Sequence, residues 1–334
     1  MKRFPLLVVM VAALALFPWM TPAAEKTGGP LLDITEWEVP WVNTRPRDPW
    51  YGPSDKVWFV GQTGHYVATL YPRSGEFIRY ELEAGAGPHT VIADESGAWY
   101  AGNRAQHIGR IDPNTGMREI IPLPGAGTRD PHTMAFTRKG DIWFSVQHGN
   151  QVGFLNRESR KITLYDIATP RARPYGLVVD AQDRPWFVLF GTNALGTLDS
   201  ATGKVREIQL PRSESRPRRL AVTADAMVWY VDFAQGYLGR FNPKTEAITE
   251  WPMPGGRACG PYAMAADAQG RLWYVETGIR PNRFVGFDPK TEAFTEPIPI
   301  DSGGGSVRHM IFHAGTNSLW FGTDANTIGR ATVR

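Results

Sequence analysis

The sequence predicts an all-β chain folded as a seven-bladed β-propeller, and two observations support this. A tryptophan recurs at intervals of 41 to 47 residues. Each one begins an aromatic pair such as Trp143-Phe144 or Trp273-Tyr274, with Gly- and Pro-rich turns in between. A period in the low forties with one tryptophan per unit is typical of four-stranded propeller blades. The repeated residues are Trp58, Trp99, Trp143, Trp186, Trp229, Trp273 and Trp320.

The four strands of a blade can be placed on the second repeat. The first strand follows Gly87-Pro88-His89, and the second is Ala98–Ala101. The third strand is Ile108–Ile111, and the fourth runs from Met117 to Leu123. Turns separate these short segments, as expected for antiparallel strands.

The two ends of the chain are predicted to share one blade. The last repeat stops after its third strand, at Ile328-Gly329-Arg330, and therefore lacks a fourth strand. The segment Ile34–Pro40 closely matches the fourth strand of the fifth blade, Ile248–Pro254. We therefore expect the N-terminal strand to complete the C-terminal blade, which leaves no free inner edge.

The first residues have the pattern of a secretory signal peptide. Lys2 and Arg3 precede an apolar run from Phe4 to Phe17, and small residues follow at positions 23 and 24. The run is shorter than the roughly 20 residues that cross a membrane. We expect residues 1–24 to be removed and residues 25–334 to form one propeller domain, secreted or periplasmic, with no membrane span.

Net charge and cysteine content limit the kinds of partner, cross-link and metal site that the chain can have. A net charge of +3 is too small to indicate a nucleic-acid partner. Cys259 is the only cysteine, which excludes an internal disulfide and a cysteine-based zinc site. We expect a monomer whose stability comes from packing and ring closure.

Polar residues recur where the first strand of each blade enters the central channel. Registering the repeats on their tryptophans gives one ring of Arg47, His89, His132, Tyr175, Arg218, Tyr262 and Arg308. Two residues earlier lie Arg45, Gly87, Asp130, Arg173, Arg216, Gly260 and Ser306. Residues two apart in a strand point the same way, so we expect two stacked rings around one mouth. The arginines favour an anionic or carboxylate-bearing small ligand.

A second layer is expected from the ends of the second strands. It comprises Gln62, Asn103, His148, Asp232, Glu276 and Asp324. Asp232 and Glu276 belong to adjacent blades and could hold a hard cation together with water. Pairing of these two carboxylates with the arginines is an equally good interpretation.

The blade pattern resembles the streptogramin B lyase (virginiamycin B lyase) family over residues 34–334. The specific part is Gly87-Pro88-His89, followed one blade later by Asp130-Pro131-His132. The resemblance implies a seven-bladed propeller that uses Mg²⁺ and opens a cyclic depsipeptide antibiotic at an ester by eliminating a carboxylate. It also implies that His89 and His132 are catalytic histidines and that Asp130 stands for the family's catalytic glutamate.

Elimination requires a base for a C–H next to a carbonyl and a group that holds the enolate-like charge. His132 is a competent base near neutral pH, and a carboxylate such as Asp130 can orient a neighbouring imidazole. The sequence departs from the family in three ways. Asp130 is shorter than glutamate, the histidines lie in early blades, and the arginines and signal peptide differ from a cytoplasmic resistance enzyme.

Three functions remain open from the sequence. The first is an exported lyase with His132 as base. The second is a periplasmic propeller that binds an anionic ligand or a protein partner without turnover. The third is a metal-dependent lactonase-type hydrolase, which needs several carboxylate or Asn ligands in the channel.

Overall fold

The computed structural model describes Met1, residues 31–199 and residues 202–334. Within them, 29 strands form seven antiparallel sheets, which confirms the predicted seven-bladed propeller. Most of the predicted signal peptide, residues 2–24, and the first residues of the predicted domain lie outside the described residues. Among the described residues, no helix is long and apolar enough to cross a membrane.

The first four blades each contain four strands in chain order. Blade 1 contains β2 (Pro46–Gly52), β3 (Lys56–Gly61), β4 (Tyr66–Tyr71) and β5 (Glu76–Glu81). Blade 2 contains β6 (Val91–Asp94), β7 (Gly97–Gly102), β8 (His107–Ile111) and β9 (Arg118–Pro122). Blade 3 contains β10 (Pro131–Phe136), β11 (Ile142–Val146), β12 (Gln151–Leu155) and β13 (Ile162–Asp166). Blade 4 contains β14 (Pro174–Val179), β15 (Pro185–Leu189), β16 (Ala194–Asp199) and β17 (Lys204–Gln209).

The last three blades include one whose outer strand is interrupted, blade 6, and one that contains strands from both ends of the chain, blade 7. Blade 5 contains β18 (Pro217–Val222), β19 (Val228–Asp232), β20 (Tyr237–Phe241) and β21 (Ile248–Pro252). Blade 6 contains β22 (Pro261–Ala266), β23 (Leu272–Glu276) and β24 (Arg283–Asp288), with an outer strand split into β25 (Ala293–Phe294) and β26 (Ile298–Pro299). Blade 7 contains β27 (Val307–His313), β28 (Ser318–Thr323), β29 (Thr327–Val333) and β1 (Leu32–Glu38). Two short 3₁₀ turns span Arg257–Cys259 and Ala314–Thr316.

The ring closes as predicted, through pairing of the first strand with the last. β1 pairs antiparallel with β29, from Leu32 opposite Val333 to Glu38 opposite Thr327. Trp37 stacks on Trp320 with ring centroids 5.8 Å apart. Because the outermost strand of blade 7 comes from the other end of the chain, neither terminus can leave without opening that sheet.

The repeated tryptophans are buried between the sheets, and two of them are held by turn carboxylates. Trp186 donates its indole N–H to Asp180 at 2.9 Å, and Trp273 donates to Asp267 at the same distance. Arg184 donates to the Asp180 carboxylate as well. The turn aspartates therefore fix the core residue of their blade. Seven buried apolar clusters of the described residues join neighbouring blades around the ring.

Candidate active site

The innermost strands are irregular where the predicted ring residues lie. In six blades the pairing of the first with the second strand shifts register directly after the channel entrance, for example between Pro131 and Met134 and between Pro174 and Leu177. A β-bulge adds a residue on one strand and re-aims the side chains beside it. As a result, two consecutive residues per blade, and not residues two apart, contribute to the channel.

The upper layer consists of the predicted ring residues, and they contact one another. The rings of His89 and His132 lie 3.3 Å apart between centroids, and His132 lies 4.1 Å from Tyr175. The hydroxyls of Tyr175 and Tyr262 share a hydrogen bond between non-adjacent blades. Arg218 covers the Tyr262 ring at 3.7 Å. These residues therefore meet at the channel axis.

The expected solvent-filled mouth is wrong for this layer. His89 is 4% exposed and His132 2% exposed, and Tyr175 and Tyr262 are also buried. Large side chains occupy the whole ring, so they fill the channel and exclude water. The residues two positions earlier lie nearer the surface, where Arg45 and Arg173 are exposed. Arg45 shares the Gln62 side chain with Arg47 and the Asp324 carboxylate with Arg308.

Sequence reasoning missed a lower layer, which consists of the next residue on each inner strand. Its functional members are Asp48, Thr90, Thr133, Arg219 and His309. Asp48 is 1% exposed and accepts hydrogen bonds from Arg47 Nε at 2.9 Å and Thr90 Oγ1 at 2.8 Å. The signal was present, since charged and polar residues follow the ring residues on strands that are otherwise apolar.

Arg219 crosses the channel from blade 5. Its Nε donates to the Arg308 carbonyl of blade 7 at 2.9 Å, and its Nη1 donates to Thr133 Oγ1 of blade 3 at 2.8 Å. Its Nη2 lies 3.6 Å from Asp48 of blade 1. Gly176 permits this crossing, because a Cβ there would lie 2.7 Å from the Arg218 carbonyl oxygen and 3.1 Å from Arg219 Cδ. The lower layer thus separates the upper layer from the opposite end of the channel.

The hydrogen-bond network assigns one tautomer to His89. The Thr90 hydroxyl has a single proton and donates it to Asp48. Thr90 Oγ1 must then accept from His89 Nδ1, which lies 3.2 Å away. His89 therefore carries its proton on Nδ1 and leaves the Nε2 lone pair free.

The same argument gives His132 the opposite tautomer. Thr133 Oγ1 accepts from Arg219 Nη1, so its own proton is available to His132 Nδ1 at 3.0 Å. His132 Nδ1 is then an acceptor, and the ring proton lies on Nε2. The two imidazoles in contact thus differ at Nε2: His89 presents a lone pair that can accept a proton, and His132 presents an N–H that can donate a hydrogen bond.

Burial and neighbouring cations keep both rings neutral. Burial, with the charge of Arg47 and then of His132, lowers the pKa of His89 well below its usual value. Burial, with Arg219 and Arg47, lowers the pKa of His132 in the same way. Burial opposes ionisation of Tyr175, but Arg47 and Arg218 bring its pKa below the usual range, whereas burial raises the pKa of Tyr262 to about 12.

The arginines of the ring differ in their partners. Arg308 forms an ion pair with Asp324. By contrast, Arg47 Nη2 and Arg218 Nε are buried N–H groups that find no hydrogen-bond partner within residues 31–199 and 202–334. Unmet cationic donors beside two neutral imidazoles suit an anionic or carbonyl oxygen of a ligand.

Asp130 orients an imidazole, but that of His148 and not that of His132. Its carboxylate accepts the His148 Nδ1–H at 2.7 Å, and also the backbone N–H groups of His148 and Gly149 at 2.9 and 3.1 Å. The side chain of His148 is 57% exposed. The reason is that Asp130 precedes the bulge and faces the loop after β11, outside the channel.

Asp232 and Glu276 bind loop backbone, and Glu276 also pairs with an arginine. Asp232 accepts the backbone N–H groups of Arg216 and Ala234 at 2.9 and 3.1 Å. Glu276 accepts from Gly255 N–H at 3.1 Å and from Arg283 Nε at 2.6 Å. No group of three His, Cys, Asp or Glu side chains in the described part of the chain is placed to hold a metal. Both carboxylates therefore fix loops, and Asp232 Oδ2 is buried without a hydrogen-bond partner among the described residues. The Mg²⁺ that the resemblance implies stays a prediction.

Comparison with known proteins decides the family. The sequence model of the virginiamycin B lyase family matches residues 19–258. The chain belongs to the virginiamycin B lyase family. None of the curated protein sequences matches this family member.

Solved structures agree with the fold of this virginiamycin B lyase family member. A streptogramin B lyase is 23% identical, with a TM-score of 0.81 over 91% of this chain and 98% of that one. A catalytically inactive histidine-to-alanine variant of virginiamycin B lyase from Staphylococcus aureus, with quinupristin, is 25% identical, with a TM-score of 0.77 over 90% and 100%. Hydrazine synthase from Kuenenia stuttgartiensis is 12% identical, with a TM-score of 0.71 over 87% and 96%, which shows the fold alone.

Asp48→Asn is expected to lower the free energy of unfolding of this virginiamycin B lyase family member by about 3–5 kcal/mol, because it leaves buried guanidiniums without their counter-charge. Asparagine suits the position, since Asp48 has a φ of 47°. Urea unfolding checks this. Asp55→Asn is the matched control, with a φ of 54° and an exposed ion pair to Arg73, and should cost under about 1 kcal/mol. Equal losses would contradict a structural role for the Asp48 charge.

Acid is expected to destabilise the fold before carboxylates titrate. Burial lowers the pKa of His309 to about 3, and His89 and His132 shift the same way. As the pH falls below about 6.5, these histidines therefore bind protons in the unfolded chain before they do so in the folded one. The free energy of unfolding should then fall by up to about 1.4 kcal/mol per pH unit for each histidine. Urea unfolding at a series of pH values measures the slope, and His309→Leu should reduce it. A flat profile down to about pH 4.5 would contradict three buried neutral histidines.

Proposed function

We propose that this chain is an exported carbon–oxygen lyase that opens an ester by elimination at the upper layer of the channel. One observation carries the proposal: two buried imidazoles, His89 and His132, lie in contact, and the hydroxyls of Thr90 and Thr133 favour opposite tautomers on them. Membership of the virginiamycin B lyase family supports the reaction class. The S. aureus relative is catalytically inactive as a histidine-to-alanine variant, which supports an essential histidine in that enzyme.

The tautomers favour exchanging the roles expected from the sequence. His89 Nε2 is the free lone pair, so His89 takes the proton from the carbon next to the carbonyl. As that C–H bond breaks, a C=C bond forms and the C–O bond of the ester breaks. The carboxylate leaves with the bonding electrons as an anion and accepts a hydrogen bond from His132 Nε2–H. The unmet N–H groups of Arg47 and Arg218 stabilise the enolate-like oxygen.

The buried upper layer must open to admit a substrate. Tyr175 and Tyr262 hold each other across the axis through their hydroxyls, and Arg218 covers the Tyr262 ring. A carboxylate or carbonyl oxygen that binds Arg47 and Arg218 would replace these contacts with charge-assisted hydrogen bonds. We infer that the ligand opens the layer by competing for these two arginines.

The direct test is turnover of quinupristin, followed by mass spectrometry. Elimination opens the ring without changing the molecular mass, whereas hydrolysis adds one water. We expect conversion at unchanged mass, with and without added Mg²⁺, and none in a His89→Ala/His132→Ala double variant. No conversion by the wild type with Mg²⁺ present would reject streptogramin-type lyase activity, and a hydrated product would reject elimination.

A second candidate function is anion binding without turnover, and the unmet donors of Arg47 and Arg218 favour it. Titration with succinate followed by calorimetry tests it. Arg218→Ala should weaken binding, whereas Arg110→Ala should not, since Arg110 donates to the Ser96 carbonyl on the outer side of blade 2. Added salt should weaken binding as well. Equal effects of the two substitutions would contradict a site in the channel.

Export is proposed from the N-terminal pattern. Expression in a bacterium with a periplasm, followed by intact-mass measurement of the periplasmic fraction, tests it. The expected product lacks residues 1–23 or 1–24. A full-length chain found only in the cytoplasm would contradict export.

A further inference from the structure

The channel opens at its other end into an apolar funnel. The funnel has a volume of about 410 Å³ and is lined by the inner strands of six blades, all but blade 2. Its walls are aliphatic near the axis, with Met134, Leu177 and Met310 as examples, and aromatic further out, with Trp50 and Phe312. Volumes of this size, with apolar walls and few polar groups, are typical of small-molecule sites.

The floor of the funnel is polar and belongs to the lower layer. Arg219 and His309 are the residues of that layer that line it. Arg219 is 3% exposed, and its Nη2 has no hydrogen-bond partner among the described residues. His309 Nδ1 is also buried without a partner. Buried polar atoms without partners cost free energy unless a ligand or water meets them, and both residues line one cavity.

The net charge at the floor of the funnel favours the binding of one anionic group. Asp48 is the carboxylate between two guanidiniums, Arg47 at 2.9 Å and Arg219 at 3.6 Å. The group Arg47, Asp48 and Arg219 therefore keeps one positive charge. One carboxylate at the floor would neutralise it and accept from Arg219 Nη2, while a monoanion with an apolar body would cover the walls.

We propose that this funnel binds a small hydrophobic monocarboxylate, with its head group on Arg219 and His309 and its apolar body along the inner strands. The site is independent of the proposed lyase function, because the lower layer separates the funnel from His89 and His132. Burial of an apolar body in such a cavity gives a negative heat-capacity change on binding.

Calorimetry with octanoate tests the site, and 1-octanol and acetate serve as probes that lack the charged head or the apolar body. We expect saturable octanoate binding with a negative heat-capacity change, and at least about tenfold weaker binding of each control probe. Ala135→Phe and Val222→Phe each narrow the funnel from a different blade, so at least one variant should fold. Each folded variant should lose about tenfold or more in octanoate affinity.

Two further variants locate the ligand. His309→Leu removes an imidazole at the floor and should weaken octanoate binding, whereas Arg218→Ala on the upper layer should leave it unchanged. Absence of saturable octanoate binding, equal affinity for 1-octanol, or equal weakening by Arg218→Ala would each overturn the proposal. Circular dichroism and thermal melting establish that each variant is folded before titration.

Discussion

A chain without residues 32–38 is expected to yield no folded monomer. These residues are the outermost strand of blade 7, and Glu36 also accepts hydrogen bonds from Thr327 Oγ1 at 2.6 Å and Ser302 N–H at 3.0 Å. Without them, β29 exposes a full row of backbone N–H and C=O groups, and Trp320 loses its stacking partner Trp37. Size-exclusion chromatography and thermal melting check this. A monomer with an unchanged melting temperature would contradict closure by β1.

A synthetic peptide gives the control. Residues 31–40, added in trans to the truncated chain, should restore the monomer and its cooperative melting, because the strand is then supplied without its covalent link. A peptide of scrambled order should not. Failure of both peptides, with the truncated chain still soluble and folded, would mean that blade 7 is stable with three strands.

His89→Ala is expected to lower kcat by about 10²–10⁴-fold, and His132→Ala by less, if the chain is a lyase. His89 offers the free Nε2 lone pair, whereas His132 only donates a hydrogen bond to a carboxylate that already leaves well as an anion. Steady-state kinetics on quinupristin measure both losses. The larger loss in His132→Ala would restore the roles expected from the sequence.

A threonine pair tests whether the tautomers matter. Thr90→Val removes the group that fixes the Nδ1 proton of His89, and Thr133→Val does the same for His132 Nδ1. Thr90→Val should lower kcat more than Thr133→Val and should alter the acid limb of the pH profile. The wild-type limb should lie below pH 6.5, since burial lowers the pKa of His89 and only the neutral ring accepts a proton. An acid limb unchanged by Thr90→Val would contradict a role for the hydrogen bonds from His89 through Thr90 to Asp48.

The fold could be predicted because its signals are local and repeated. The period of Trp58 to Trp320 gave the blade number, and the similarity of Ile34–Pro40 to Ile248–Pro254 gave the closing strand. The observed β1, Leu32–Glu38, differs from the prediction by two residues at each end. The ring residues could be aligned because six of the seven follow a proline at the same point of their repeat.

The site was harder to predict because regular alternation fails at a bulge. Residues two apart were expected to share the channel, which selected Asp130 and overlooked Asp48. The bulge brings consecutive residues to the axis, so the carboxylate that backs His89 is one residue after Arg47. A register shift depends on how neighbouring blades pack, so the residue pattern within one repeat does not reveal it.

The shared blade also determines when the molecule can fold. β1 is made first, but its partner β29 spans Thr327–Val333 at the other end of the chain. At about 5–20 residues per second, synthesis takes on the order of tens of seconds, and the first strand waits unpaired for nearly all of it. Closure of blade 7 is therefore a late, long-range step in folding. Until β29 is made, β1 stays an unpaired strand, which is not so in a propeller whose blades are each contiguous in sequence.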